Sequence, residues 1–122
     1  MKTLRFALMM MLLSTFSTLA MADYYDYYAD GEDYIERECE VAVKYTNLRL
    51  ILNNEALKIR GPAGVDEFCL AQGFDDSRVL YKHRKKMKDY RWDFTNGYWE
   101  VTWGRHYIKI FECISYLSEN GC

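Results

Sequence analysis

The chain has 122 residues and a formal net charge of −2, with 16 basic and 18 acidic side chains. Seven glycines and one proline exclude a collagen-like or low-complexity chain, and the length is that of one small domain. The charges are unevenly distributed, because residues 23–40 hold eight acids and a single base, Arg37.

The first 22 residues are typical of a secretory signal peptide. Lys2 and Arg5 precede an apolar run over residues 6–13, and residues 20–22 match an Ala-x-Ala cleavage site. The apolar run is too short for a membrane-spanning helix. We therefore expect export, into a periplasm or out of the cell, after cleavage near Ala22, and no transmembrane segment in the mature chain.

Residues 23–38 are acidic and rich in tyrosine, with no clean apolar period and few aliphatic residues. This composition predicts a mobile segment that precedes a single domain over residues 39–122. The tyrosines could dock on a partner, or the acids could simply keep the exported chain soluble. A third interpretation is that the segment folds over a basic run further along the chain.

The first half of the domain reads as strands followed by one helix. Residues 40–52 have strand-like alternation with a parity change at Thr46-Asn47, which predicts a bulge or a turn, and residues 56–60 form a short strand. Residues 62–72 have helical periodicity that turns Phe68 and Cys69 inward, and Gly73 is placed to end the helix.

A basic run follows the helix, and we expect it on a connecting loop and the adjoining strand ends. Positive charge beside aromatic rings is typical of surfaces that bind polyanions, here an anionic surface polymer or lipid head group. The alternative is a solvated charged loop. The candidate anion-binding residues are Arg78, Lys82, Arg84, Lys85, Lys86, Lys88 and Arg91.

The C-terminal part predicts a three-stranded meander. Asn96-Gly97 between alternating apolar residues indicates a two-residue hairpin loop, and Gly104 can open a second tight turn. One face of the meander would then carry the apolar side chains. These are Tyr90, Trp92, Phe94, Trp99, Val101, Trp103, Ile108 and Ile110.

Three tryptophans of this meander, Trp92, Trp99 and Trp103, allow two interpretations. They could form a flat platform for a sugar or a peptide. Alternatively, they lie on the core face and the helix covers them.

Four cysteines, Cys39, Cys69, Cys113 and Cys122, predict two disulfides in a small exported domain. Regular alternation in the last strand would direct Cys113 away from the helix. We therefore expect Cys39 to pair with Cys113, and Cys69 with Cys122. The sequence contains no C-x-x-C pair and two histidines, so it predicts no metal site.

These elements predict an α+β fold: a small twisted antiparallel sheet with the C-terminal meander, one short helix packed on its aromatic face, and disulfides that staple it. We find no catalytic constellation around His83 or His106 and predict no cofactor. The leading hypothesis is a non-enzymatic binding protein with an unknown protein or glycan partner. The alternatives are a polyanion or envelope-surface binder that uses residues 78–91, and a small secreted hydrolase or hydrolase inhibitor.

Overall fold

The computed structural model describes residues 25–117. The predicted signal peptide, its predicted cleavage site and Cys122 therefore lie outside the described residues. The elements are β1 (Asp26–Tyr28), β2 (Gly31–Arg37), β3 (Glu40–Thr46), β4 (Arg49–Leu52), β5 (Glu55–Arg60), α1 (Pro62–Ala71), β6 (Asp76–Asp93) and β7 (Tyr98–Tyr116).

The seven strands form one sheet in the order β1-β4-β5-β6-β7-β3-β2. The expected combination of a sheet, one short helix and a disulfide is confirmed. The sheet is larger than expected, and it is mixed, because β5 and β6 run parallel while the other described pairs are antiparallel.

The first four strands form one long hairpin that bends in the middle. A single register runs through it, because Tyr28 pairs with Arg49 and, three residues later, Gly31 pairs with Thr46. The change in alternation predicted near Asn47 is therefore a bend between β3 and β4. The chain continues in the same direction there and does not reverse. Asn47 has a φ of 52°, and its side-chain amide donates a hydrogen bond to Asp30 across the hairpin at 2.9 Å.

The acidic segment was expected to be mobile, but from Tyr25 onward it supplies β1 and β2. Its tyrosines provide the apolar surface that its composition had seemed to lack. Tyr27 packs edge-to-face against Tyr45 and Phe68, with ring centroids 5.6 and 5.2 Å apart, and Tyr25 packs in the same way against Trp99. Such pairs stabilise a fold beyond the area that they bury.

The helix agrees with the sequence pattern. Pro62 stands in its first turn, and Val65, Phe68 and Cys69 are buried. Gly73 follows it with a φ of 95°, and the amide of Phe74 donates to the carbonyl of Cys69, which is the Schellman stop that the sequence predicted.

The turn between β6 and β7 differs from the predicted two-residue loop. Asp93 pairs with Tyr98, so the loop has four residues and the register is displaced by two. The carboxylate of Asp93 accepts hydrogen bonds from the amides of Thr95 and Asn96, and this local cap favours the longer turn over a tight Asn-Gly turn. The displacement places Phe94 in the loop, where 78% of its surface is exposed.

The second predicted turn is also wrong, because β7 continues through Gly104, which lies opposite Met87. The expected meander is therefore a single two-stranded hairpin of β6 and β7. Trp103 was assigned to the core face, but it is 64% exposed, and Val101 is also exposed.

The predicted disulfide pairing is corrected as well, since Cys69 of α1 is bonded to Cys113 of β7. The expectation assumed regular alternation, but Ile110 pairs with Tyr81 and Ile108 with Lys82, so Lys109 is an extra residue in β7. This bulge brings Cys113 to the same side as Ile108. Cys39 is also disulfide-bonded.

The core lies between the helix and the curved sheet. Only two residues separate β3 from β4 along the chain. The succession of paired strands that begins at β3 and passes through β7, β6 and β5 therefore ends at β4, the strand that directly follows β3 in the sequence. The buried cluster consists of Tyr45, Leu48, Leu50, Ile59, Val65, Phe68, Cys69, Tyr90, Ile108, Phe111 and Cys113.

Neighbouring tyrosines of β1 test whether the acidic segment belongs to the fold. Tyr27→Ala removes two aromatic contacts with the core and should lower the free energy of unfolding by roughly 2–4 kcal/mol. Tyr28→Ala is the matched control, because Tyr28 is 54% exposed, and it should cost less than about 1 kcal/mol. Urea unfolding measures the free energy of unfolding of each variant. Equal values for the Tyr27→Ala and Tyr28→Ala variants would show that the core contacts of Tyr27 do not stabilise the fold.

Candidate anion-binding surface

The middle of the β6–β7 hairpin is a two-stranded ribbon. β5 pairs with β6 at residues 89–91, and β3 pairs with β7 at residues 110–116. Residues 82–88 and 103–108 lie between these regions, so their outer edges pair with no other described strand. We call this segment, residues 82–88 with 103–108, the basic ribbon, because it contains six lysines and arginines and no acid.

Three of the seven predicted anion-binding residues are already neutralised. Arg78 pairs with Glu40 and Glu112, and Lys88 pairs with Glu55. Arg91 pairs with Glu100, its direct neighbour across the hairpin.

Glu112 is the centre of the ion-pair network that contains Arg78. Its side chain is 2% exposed, and it accepts hydrogen bonds from both Arg37 and Arg78. The hydrogen bonds from Arg37 hold the pKa of Glu112 below its usual range, despite the opposing effect of burial. These contacts connect β2, β6 and β7, which gives Arg78 a structural role.

The other four predicted residues, Lys82, Arg84, Lys85 and Lys86, are exposed and form no ion pair in the described part of the chain. They lie on β6 and not on the expected loop. Arg84 pairs with His106 and Met87 with Gly104, so Lys85 and Lys86 share a bulge opposite Arg105.

Arg105 is a basic residue that sequence reasoning missed. The sequence analysis placed it next to the predicted turn at Gly104. The signal that could have assigned it to the basic surface is the lack of any acid in residues 79–88 and 101–108, on both strands of the hairpin. The ribbon therefore exposes five cations that form no ion pair with the described residues: Lys82, Arg84, Lys85, Lys86 and Arg105.

The three tryptophans do not form one flat platform. Trp92 and Trp99 contact each other with ring centroids 5.2 Å apart and an angle of 64° between their planes. Trp99 also packs against the core and close to Gly64 of the helix, which agrees with the core interpretation. Trp103 is exposed at the ribbon, where it pairs with Lys88.

A basic cavity of about 220 Å³ opens beside the ribbon. Its lining includes Arg60, Lys82 and His106, and none of the three forms an ion pair within the described residues. Gly61 and Ile108 complete the wall. Arg60, at the end of β5, is a second residue that sequence reasoning missed.

Arg60 is held in place by β7. Its Nη1 donates to the hydroxyl of Thr102 at 2.8 Å and to the carbonyl of Trp103 at 3.0 Å. The side chain crosses Gly104 so closely that a Cβ atom there would lie 2.5 Å from its Nε. A residue without a side chain at position 104 therefore allows Arg60 to lie across the strand.

A second cavity of about 350 Å³ shares Arg60 and Gly61 with the basic cavity. Its walls include Pro62, Trp92 and the exposed Phe94. We call Trp92 and Phe94 the aromatic shelf, because they also line a third cavity. An apolar surface thus adjoins a cationic pocket.

Asp89 is the most perturbed acid of the described part. It is fully buried, neither of its carboxylate oxygens has a hydrogen-bond partner, and loss of hydration raises its pKa to about 6 although Arg60 acts in the opposite direction. Its register neighbour, Lys58, instead places Nζ 4.1 Å from the ring centroid of Tyr107. Asp89 lines none of the three cavities, so it has no route to a substrate there.

The histidines show no partner typical of a catalytic site. His83 lies against the ring of Tyr107, with centroids 5.3 Å apart, and neither His83 nor His106 has a hydrogen bond to a serine or a carboxylate in residues 25–117. Over the same range, no group of three or more potential metal ligands lies together. No helix there has the length and hydropathy needed to cross a bilayer.

The acidic segment does not cover the basic ribbon. Among its described residues, Asp30 pairs with Arg49 and Arg37 pairs with Glu40 and Glu112. β2 is paired with β3 at one end of the strand order, and β1 is paired with β4 at the other. The hypothesis of a masked basic run therefore has no support in these contacts.

Comparison of the chain with protein-family models, with curated proteins and with solved structures finds no match. The geometry described above is therefore the basis for assigning a function.

Asp89 yields a prediction about pH. Its folded-state pKa of about 6 exceeds the value of about 3.9 for an unfolded chain, so the folded state loses stability as pH rises through this window and bears the whole cost above pH 6. Asp89→Asn should therefore raise the free energy of unfolding at pH 8 by about 3 kcal/mol, with little gain at pH 4. Thermal unfolding of both proteins at the two pH values checks this, and a gain independent of pH would contradict it.

Proposed function

We propose that the protein is an exported binding protein that holds anionic polymers on the basic ribbon. The observation that carries the proposal is the set of five exposed cations without ion pairs on a segment that contains no acid. Elsewhere on β6, outside the ribbon, Arg78 and Arg91 are paired with carboxylates. The unpaired charge is therefore concentrated on the ribbon, where a polyanion would release its counterions on binding.

Two features add to this support. Trp103 is exposed next to the cations and offers a face for stacking or apolar contact. The bulge at Lys85 and Lys86 increases the local twist, so consecutive cations can project in different directions. A polymer with repeated negative charges could contact several of them at once.

Export supports the choice of ligand. The N-terminal sequence is typical of a signal peptide, and a disulfide joins Cys69 to Cys113, as is common in oxidising compartments. Outside the cytoplasm, the relevant polymers are sulfated or phosphorylated polysaccharides of the cell envelope. The hypothesis of a protein partner also remains, provided that this partner presents a negatively charged surface to the ribbon.

Heparin is a suitable probe for the proposal. Lys85→Gln combined with Lys86→Gln removes two unpaired charges, and the variant should elute from heparin at a clearly lower salt concentration than the unmodified protein. The matched control is Arg49→Gln with Arg91→Gln, which removes the same formal charge from residues that form ion pairs and lie outside the ribbon.

The control variant should shift elution much less than the ribbon variant. Equal shifts for the two variants would mean that net charge alone governs retention, and the basic ribbon would not be a binding site. An unmodified protein that passes through heparin at low salt would also overturn the proposal.

A further inference from the structure

We propose that the basic cavity binds the phosphate group of an organic phosphate monoester, and that the apolar body of this ligand lies on the aromatic shelf. The site shares Lys82 and His106 with the basic ribbon. It does not require that the ribbon binds a polymer, because Arg60 joins the lining of the cavity from β5, outside the ribbon.

The charges of the cavity suit a phosphate group. A phosphate monoester carries about −1.5 to −2 charges near pH 7 and presents three acceptor oxygens. Arg60, Lys82 and His106 supply donors from three strands around one space, and no acid lines it. Hydrogen bonds between ionised partners are the strong ones, and partial enclosure reduces their screening by water.

Arg60 gives the cavity a fixed element. Its Nη1 is held by Thr102 and by the carbonyl of Trp103, while Nε and Nη2 make no hydrogen bond to the described residues. Because the side chain rests on Gly104, the guanidinium is positioned before any ligand arrives. Such preorganisation reduces the entropy that binding would otherwise lose.

The adjoining cavity indicates an ester and not free phosphate. It meets the basic cavity at Arg60 and Gly61, and its walls include Trp92 and Phe94. Phe94 is 78% exposed, the largest exposed fraction among the large apolar side chains of the described residues. A ligand with an aromatic or apolar body would cover it while its phosphate remains with Arg60.

Phenyl phosphate, inorganic phosphate and phenol form a set of probes that separates the two halves of the site. We expect phenyl phosphate to bind roughly tenfold more tightly than inorganic phosphate, because the ring buries apolar surface, and phenol not to bind measurably. Chemical shifts of the tryptophan indole groups, or their fluorescence, can follow the titrations. Equal affinities for phenyl phosphate and inorganic phosphate would overturn the proposal. So would a failure to detect binding of phenyl phosphate at ~10 mM, a concentration at which even a weak ligand binds.

The exposed residues Lys82 and His106 can be replaced with little risk to the fold. Lys82→Gln with His106→Gln should weaken phenyl phosphate roughly tenfold or more. Lys85→Gln with Lys86→Gln is the matched control, because these lysines do not line the cavity, and it should change the affinity less than about twofold. Equal losses in the two variants would reduce the site to general electrostatic attraction and overturn it.

Two further substitutions keep the charge of the protein unchanged. Gly104→Ala should displace Arg60 and weaken phenyl phosphate binding, whereas Phe94→Ala should weaken phenyl phosphate but not inorganic phosphate. Wild-type affinity in the Gly104→Ala variant would show that the position of Arg60 does not matter. Heparin retention of these variants should stay near that of the unmodified protein, so failure of the cavity and failure of the ribbon give different results.

Discussion

The pairing of β6 with β7 is the constraint on which the rest of the structure depends. These strands are longer than every strand beside them, so β5 reaches only the end of β6 near the turn, and β3 reaches only the far end of β7. Tyr90, Phe111 and the Cys69–Cys113 disulfide lie where other strands support the hairpin, and Ile108 at the end of the ribbon also reaches the buried cluster. The middle remains a two-stranded ribbon with free edges, and the unpaired cations are found there.

Local chemistry made the helix predictable, but not the pairing of the acidic segment into β1 and β2. Pro62, the inward-facing Phe68 and Gly73 each act within a few residues, so the helix and its stop could be inferred from the sequence. The same kind of signal failed at Asn96-Gly97, because Asp93 also acts locally and caps a longer turn. Two local preferences competed, and sequence alone did not show which of them was stronger.

The site depended on contacts between distant residues, and these could not be read from local patterns. The bulge at Lys109 reverses the alternation of β7, and this single extra residue decides which cysteine meets Cys69. Arg60 and Gly104 are 44 positions apart, so their contact leaves no local pattern. The basic composition of residues 78–91 was visible in the sequence, but which of its cations are neutralised depended on Glu55, Glu100 and Glu112.

Charged residues on a free strand edge also have a structural explanation, because they prevent edge-to-edge aggregation. That protection needs charge but not one particular sign, and the edge strands β1 and β2 carry exposed acids such as Asp26, Glu32 and Asp33. A protective ribbon could therefore have mixed both signs and avoided the mutual repulsion of like charges, which costs stability. The ribbon instead has one sign throughout, and the adjoining cavity adds Arg60 without an acid. Edge protection accounts for the presence of charge on the ribbon, and the anionic ligand that we propose would account for its sign.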